Sequence, residues 1–187
     1  MCLQLFLNAL AKIRIALTGA PATGKTSICH KLEEMGYDVF HEVARDIIAD
    51  SLERGSDVVP WDNLDAFSAL VWERRMEDYN SAAAEFSFYD RTVLDTLSYL
   101  FKDDVPVRPN WAMDMETVQF DKIFLLPVWE EIHSLDSERM ETLEDCIEVE
   151  RCLLETHKNY GYDVVIVPKL SIEERIQFII EELKKSY

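Results

Sequence analysis

Ile13-Arg14-Ile15-Ala16-Leu17-Thr18-Gly19-Ala20-Pro21-Ala22-Thr23-Gly24-Lys25-Thr26-Ser27 is the stretch whose reading decides the fold. Residues 13–17 form a short apolar run that ends at Thr18-Gly19, the pattern of a buried strand followed by a loop. The loop spells GxxxxGK[ST], and each fixed position has a physical reason. Gly19 lets the chain turn sharply off the strand, and Gly24 lets the backbone approach an anion closely. Successive loop N–H groups and the following helix N-terminus present partial positive charge to phosphates. Lys25 is placed to reach β- and γ-phosphates, and the Thr26 hydroxyl to ligate Mg²⁺. From Lys25 the period turns helical, with Ile28, Cys29, Leu32 and Met35 on one face and Gly36 as the stop. Gly19, Ala20, Pro21, Ala22, Thr23, Gly24, Lys25, Thr26 and Ser27 are therefore the expected cradle of a nucleoside triphosphate, ATP or GTP.

Outward from this loop, apolar runs bounded by turn signals alternate with helical patterns, the sequence form of a parallel α/β sheet. Residues 37–40, 86–89, 120–126 and 162–167 read as the other strands. Helices are expected over 42–54, with Val43, Ile47 and Leu52 inward, over 61–84, and over 92–101. A connection then passes through Pro106 and Pro109, and Met140, Leu143, Ile147 and Leu154 mark a long helix. Ser171 and Glu174 form a capping box for a last helix with Ile172, Ile176, Ile179 and Leu183 inward. With no repeat, low-complexity tract or linker, 1–187 reads as one domain. Residues 1–11 read as an apolar leader or an extra helical turn, since they lack the basic start of a signal peptide.

Composition narrows the partners. Hydrophobic residues are 48% and charged residues 29% of 187, the balance of a chain that buries a core. A net charge of -17 repels phosphate backbones, so nucleic acid is not expected as a partner. An anionic nucleotide then needs a local convergence of cations on an acidic body. No stretch is long and apolar enough to span a bilayer, so no membrane partner is expected. Cys2, Cys29, Cys146 and Cys152 form no CxxC pair; the three on expected helices read as buried free thiols, which points to a reducing, cytoplasmic compartment. His30, His41, His133 and His157 show no mutual ligand spacing and are assigned no metal.

Four further residues carry chemistry. Asp90 ends an apolar strand, where an acid beside the loop holds Mg²⁺ or caps the next helix. Arg91 suits bidentate contact with an oxyanion, against a surface salt bridge to Asp95 at i+4. Glu42 follows the second strand at the sheet's carboxyl edge, where a base would orient a hydroxyl nucleophile. Its plainer role is to favour the helix N-terminus there. Arg139, in Asp136-Ser137-Glu138-Arg139, is either an internal arginine finger on a mobile segment or a solvated residue near a helix start.

Together, 17–26, His41-Glu42-Val43-Ala44-Arg45-Asp46, Tyr89-Asp90-Arg91-Thr92-Val93-Leu94-Asp95-Thr96, Asp136 with Arg139, and the closing Gly161-Tyr162, Val167-Pro168 and Glu174-Arg175 resemble the NadR-like AAA-type ATPase/kinase family. The resemblance extends to ribosylnicotinamide kinases and, further off, to deoxynucleoside and nucleoside monophosphate kinases. It implies a three-layer α/β/α P-loop NTPase fold with a five-stranded parallel sheet in the order 2-3-1-4-5. It also implies a nucleotide–Mg²⁺ site at Gly24, Lys25, Thr26 and Asp90, Glu42 as the acceptor-site base, Arg91 as a phosphate or acceptor contact, and Arg139 as a lid arginine. Two departures stand out: no nucleotidylyltransferase-type domain, and one lid arginine where monophosphate kinases carry an RxxxR pair.

Two functions follow as expectations. The first is a kinase moving the γ-phosphoryl group to a small, nucleoside-like hydroxyl acceptor. The alternative is an ATPase or GTPase switch with a protein partner. The chain lacks an NKxD motif and a DxxG after the third strand, which disfavours a Ras-like GTPase, and an intact Gly24-Lys25-Thr26 argues against a degenerate module. Trp61, Leu64, Phe67, Val71 and Tyr79 lie on a stretch that reads as core helix, with an acceptor pocket or a homodimer face left open as its further uses.

Overall fold

In the computed structural model, residues 12–132 and 142–186 are described. β1 (Ile13–Thr18) explains the layering. Ile13, Ile15 and Leu17 pack into a core on one side of it, and Ala16 into a core on the other. A strand buried on both faces needs no polar alternation, which is why it reads as one apolar run. β2 (Asp38–Phe40), β3 (Phe86–Asp90), β4 (Lys122–Leu125) and β5 (Val164–Ile166) complete a sheet ordered β2-β3-β1-β4-β5. Every neighbouring pair is parallel. The implied order is the observed one.

One face is covered by α1 (Lys25–Glu34) and α7 (Ile172–Lys184), whose Ile28, Leu32, Ile176, Ile179 and Leu183 meet Phe88 and Phe124. On the other, α3 (Leu64–Ser81), α4 (Val93–Lys102) and α5 (Trp111–Thr117) place Trp72, Leu97 and Trp111 against Tyr89 and Ile123. α6 (Leu143–Asn159) adds Cys146, Val149 and Leu153 beside Leu125. This is a three-layer α/β/α sandwich of the P-loop kind. α2 (Ala44–Glu53) packs on α3 through a smaller cluster of Val43, Phe67 and Val71, with Ile47 and Ile48 beside it.

Several expectations shift. The second helix begins at Ala44 rather than 42, and Leu52 points outward at 59% exposure. Leu52 lies five residues past Ile47, about 140° round the helix and off its packed face. Ile147 and Met35 are also exposed. The connection after Pro109 holds α5, whose Trp111 stacks on Trp72 with ring centroids 4.1 Å apart. Trp72 Nε1 donates to Asp114 Oδ2 at 2.9 Å, so this short helix is held by tertiary contacts that local patterning does not encode. The Ser171–Glu174 capping box is present, and α4 and α6 carry their own, Thr92–Asp95 and Thr142–Asp145. Cys29, Cys146 and Cys152 are buried, with no disulfide among the described residues. Cys2, His133 and Met140 lie outside those residues. Among the described residues, no helix is long and apolar enough to cross a membrane.

The site follows from the sheet. Leu17 pairs with Asp90, so β1 and β3 end side by side, with the glycine-rich loop leaving one and Arg91 the other. Phe40 ends β2 two residues before Glu42. Ligands of open α/β sheets bind at this carboxyl edge.

Candidate active site

At Gly19 the chain turns at φ +142°, and an added Cβ would lie 2.3 Å from the Leu126 carbonyl oxygen. Gly24 sits at φ +87°, with the Arg175 guanidinium 3.1 Å from where a Cβ would be. These two positions admit only glycine without rearrangement. α1 follows with no side-chain cap and no acid in its first turn, so its N–H groups remain available to an anion. Lys25 Nζ donates to Gly19 O at 2.8 Å, Ala20 O at 2.7 Å and Thr23 Oγ1 at 3.2 Å. Burial, then the charge of Arg91, draws its pKa down to about 7 against the pull of Asp90, Glu42 and Asp95.

Thr26 and Asp90 face each other. Thr26 Oγ1 donates to Asp90 Oδ2 at a long 3.5 Å, while Asp90 Oδ1 is buried without a partner. Burial and the neighbouring Glu42 raise the Asp90 pKa, offset in part by Lys25, Arg91 and Arg75. A hydroxyl beside a carboxylate with an unsatisfied oxygen is a donor set suited to a hard divalent cation such as Mg²⁺. The capping role falls to Thr92, not Asp90.

Glu42 is the hub of a buried charge cluster. Arg75 Nη2 donates to its Oε1 at 2.8 Å, Arg91 Nε pairs with its Oε2, and the Ala44 N–H reaches Oε1 at 3.1 Å. Burial works to raise its pKa, but the two guanidinium groups outweigh it and hold Glu42 below the usual carboxylate range. Arg91 also meets Asp95 at 3.4 Å, so the i+4 contact exists, but as a buried pair rather than a surface one. Asp95 is fully buried and accepts from Thr18 Oγ1 at 2.6 Å and from the Thr92 N–H at 2.9 Å. Arg91 itself has φ +76°, a left-handed conformation costly for a long side chain.

Lys25, Thr26, Glu42, Asp90 and Arg91 all line one cavity of about 570 Å³. Arg139 lies outside the described residues. Beyond the phosphate loop, Ala44, Ile48, Leu64, Phe67 and Val71 form an apolar chamber between α2 and α3. Towards α7 the lining is Trp129, Leu170, Ile172 and Arg175. Arg175 donates to Thr23 O at 3.0 Å and lies 5.8 Å from the Trp129 ring centroid. Sequence reading missed Arg75, although a charged residue one turn beyond Val71 on a buried stripe was a usable signal. Trp129 carried no pattern at all.

Sheet order, glycine-rich loop and helix N-terminus together define a P-loop nucleotide-binding fold. The chain belongs to the AAA domain family, whose model matches residues 14–175. No curated protein sequence matches it. Among solved structures, deoxyadenosine kinase from M. mycoides, with the products dCMP and a flexible dCDP bound, has a TM-score of 0.68 at 18% identity, covering 92% of this chain and 100% of that one. A NadR protein in complex with NR has a TM-score of 0.72 at 19% identity, covering 94% of this chain and 50% of that one. Thymidylate kinase from Candida albicans has a TM-score of 0.66 at 18% identity, covering 94% and 92%. At these identities the likeness is one of fold. The NadR-like, AAA-type resemblance stands on the family match and on that shared fold.

Proposed function

We propose that this protein is a phosphotransferase that moves the γ-phosphoryl group of ATP to a hydroxyl of a small, nucleoside-like acceptor. The cavity carries the reading: its phosphate floor at Lys25 opens past Glu42 into an apolar chamber between α2 and α3. A nucleotide switch needs no second chamber behind its phosphates. A nucleobase needs one of this kind, apolar on its faces with polar groups at the rim. The similar deoxyadenosine kinase with dCMP and dCDP bound, and the similar NadR protein with NR bound, fit an acceptor of that class.

In this reading the backbone N–H groups of residues 22–27 take the β- and γ-phosphates, and Lys25 exchanges its carbonyl partners for phosphate oxygens. Thr26 and Asp90 would hold Mg²⁺, which when bound supplies charge neutralisation at the phosphate oxygens. Glu42 orients the acceptor hydroxyl and receives its proton. Held ionised by Arg75 and Arg91, it is a weak base, which suffices for a loose transition state that asks more for alignment than for proton abstraction. Arg91, beside Glu42, meets the oxygens of the transferring group, and Arg139 serves as the lid arginine.

The test is acceptor-dependent ADP release across a panel of nucleosides. Lys25→Ala abolishes it, while Glu42→Gln keeps affinity for an ATP analogue and loses about 10²-fold or more in acceptor turnover. Full turnover by Glu42→Gln removes the base from the scheme. ATP hydrolysis that no acceptor accelerates defeats the kinase reading in favour of the switch.

A further inference from the structure

On the outer surface, away from the nucleotide cavity, two histidines with no ligand spacing in the sequence converge on one carboxylate. His30 and Glu33 lie one turn apart on α1, and His41 sits in the loop that carries β2 into α2. His41 Nε2 is 3.1 Å from Glu33 Oε2, and His30 Nδ1 is 3.9 Å from the same oxygen. The two imidazole rings stand 4.9 Å apart, tilted by 36°. One ligand atom from each of the three residues lies within 4.8 Å of the others.

We propose that His30, Glu33 and His41 form a site for a divalent transition-metal ion of the Zn²⁺ class. Two imidazole nitrogens and one carboxylate oxygen are the donors such ions take, with water completing the shell. Tetrahedral coordination at the usual bond lengths sets ligand atoms about 3.3 Å apart, within reach of small rotations of these exposed side chains. The donor set is chemically distinct from Thr26 and Asp90, whose oxygens suit Mg²⁺. Imidazole favours Zn²⁺, Co²⁺ or Ni²⁺ over Mg²⁺ and Ca²⁺, so excess Mg²⁺ does not displace the ion.

The position gives the ion a consequence. α1 begins at Lys25, and His41 is joined directly to Glu42. An ion bridging His30 and Glu33 to His41 therefore clamps the Glu42 loop onto the phosphate-binding helix. Without it, the tether is a single His41–Glu33 hydrogen bond between side chains 38% and 56% exposed, a contact worth little.

The experiment uses tag-free, metal-stripped full chain in excess Mg²⁺, titrated with Zn²⁺ against a chromophoric chelator. One saturable equivalent is expected, weakened at least about tenfold by His30→Ala and by His41→Ala and retained in Asp90→Asn. Co²⁺ in its place gives the visible absorption of a low-coordinate nitrogen/oxygen site, lost in the same two variants. Zn²⁺ raises the thermal midpoint of the wild type and leaves that of His41→Ala unmoved. Zinc affinity unchanged in both histidine variants overturns the proposal, as does an equivalent lost with Asp90→Asn. Binding no tighter than that of scattered surface carboxylates reduces the cluster to an ordinary surface hydrogen bond and equally overturns it.

Discussion

With two carbonyls and a hydroxyl around its Nζ, Lys25 is fully bonded, yet its ammonium is enclosed and faces Arg91. Its folded pKa of about 7 lies below the ordinary 10.5. Between those values the unfolded chain binds the proton that the folded one lacks, so this group makes nucleotide-free stability rise with pH across that window. Asp90 acts in the opposite sense: its raised folded pKa means stability falls as pH climbs from the ordinary 3.8 through the folded value. Both residues are held where charge is disfavoured, and a bound phosphate and cation would relieve both. A triphosphate beside Nζ restores the ammonium, so binding at about pH 8 takes up protons and affinity falls as pH rises further. Calorimetry in two buffers of different ionisation enthalpy reads that uptake. It is expected in the wild type and abolished in Lys25→Met; uptake that survives the substitution places the proton elsewhere.

At the scale of elements, the turn from β1 into α1 has the least freedom. A methyl at Gly19 meets the Leu126 carbonyl, backbone held just past β4 by the Leu126 N–H bond to Thr18 O, whereas one at Gly24 meets only the end of the Arg175 side chain. Gly19→Ala should therefore cost about 3 kcal/mol or more in denaturant unfolding, from the contact and the positive φ together. Gly24→Ala should cost less stability while weakening nucleotide binding. A loss under about 1 kcal/mol at Gly19 contradicts so close an approach. The turn was legible because its chemistry is local: strand, loop and helix follow one another within 13–34. The three central strands were legible because burial on both faces writes a continuous apolar run, and the Ser171 cap because both its partners lie within one turn. α5 was not, since its hold is Trp111 against Trp72 across the fold. The same limit hid the Glu42 cluster: Glu42 and Arg91 were visible as candidates, but Arg75, 33 residues from Glu42, is joined to it only by the packing of α3. His30 and His41 likewise meet only because β2 returns beside α1.

For the whole molecule, the net charge of -17 sets the terms on which an anion arrives. Lys25, Arg75, Arg91 and Arg175 converge on the cavity, but Glu42 and Asp90 line it too, and the body around them is acidic. The cations act over a few ångströms, while the surface repels an incoming nucleotide at long range. Salt separates the two. The Debye length falls from about 30 Å at 0.01 M to about 8 Å at 0.15 M, which silences the body before it silences the cleft. Association of a fluorescent ATP analogue, still anionic as its Mg²⁺ complex, should therefore accelerate over that range by about twofold to tenfold. Its dissociation, governed by short contacts in a buried site, should change much less. Stopped-flow traces at several salt concentrations decide the matter. A rate that falls with salt, as for an electrostatically attracted pair, would mean that the cleft's positive field reaches past the acidic surface.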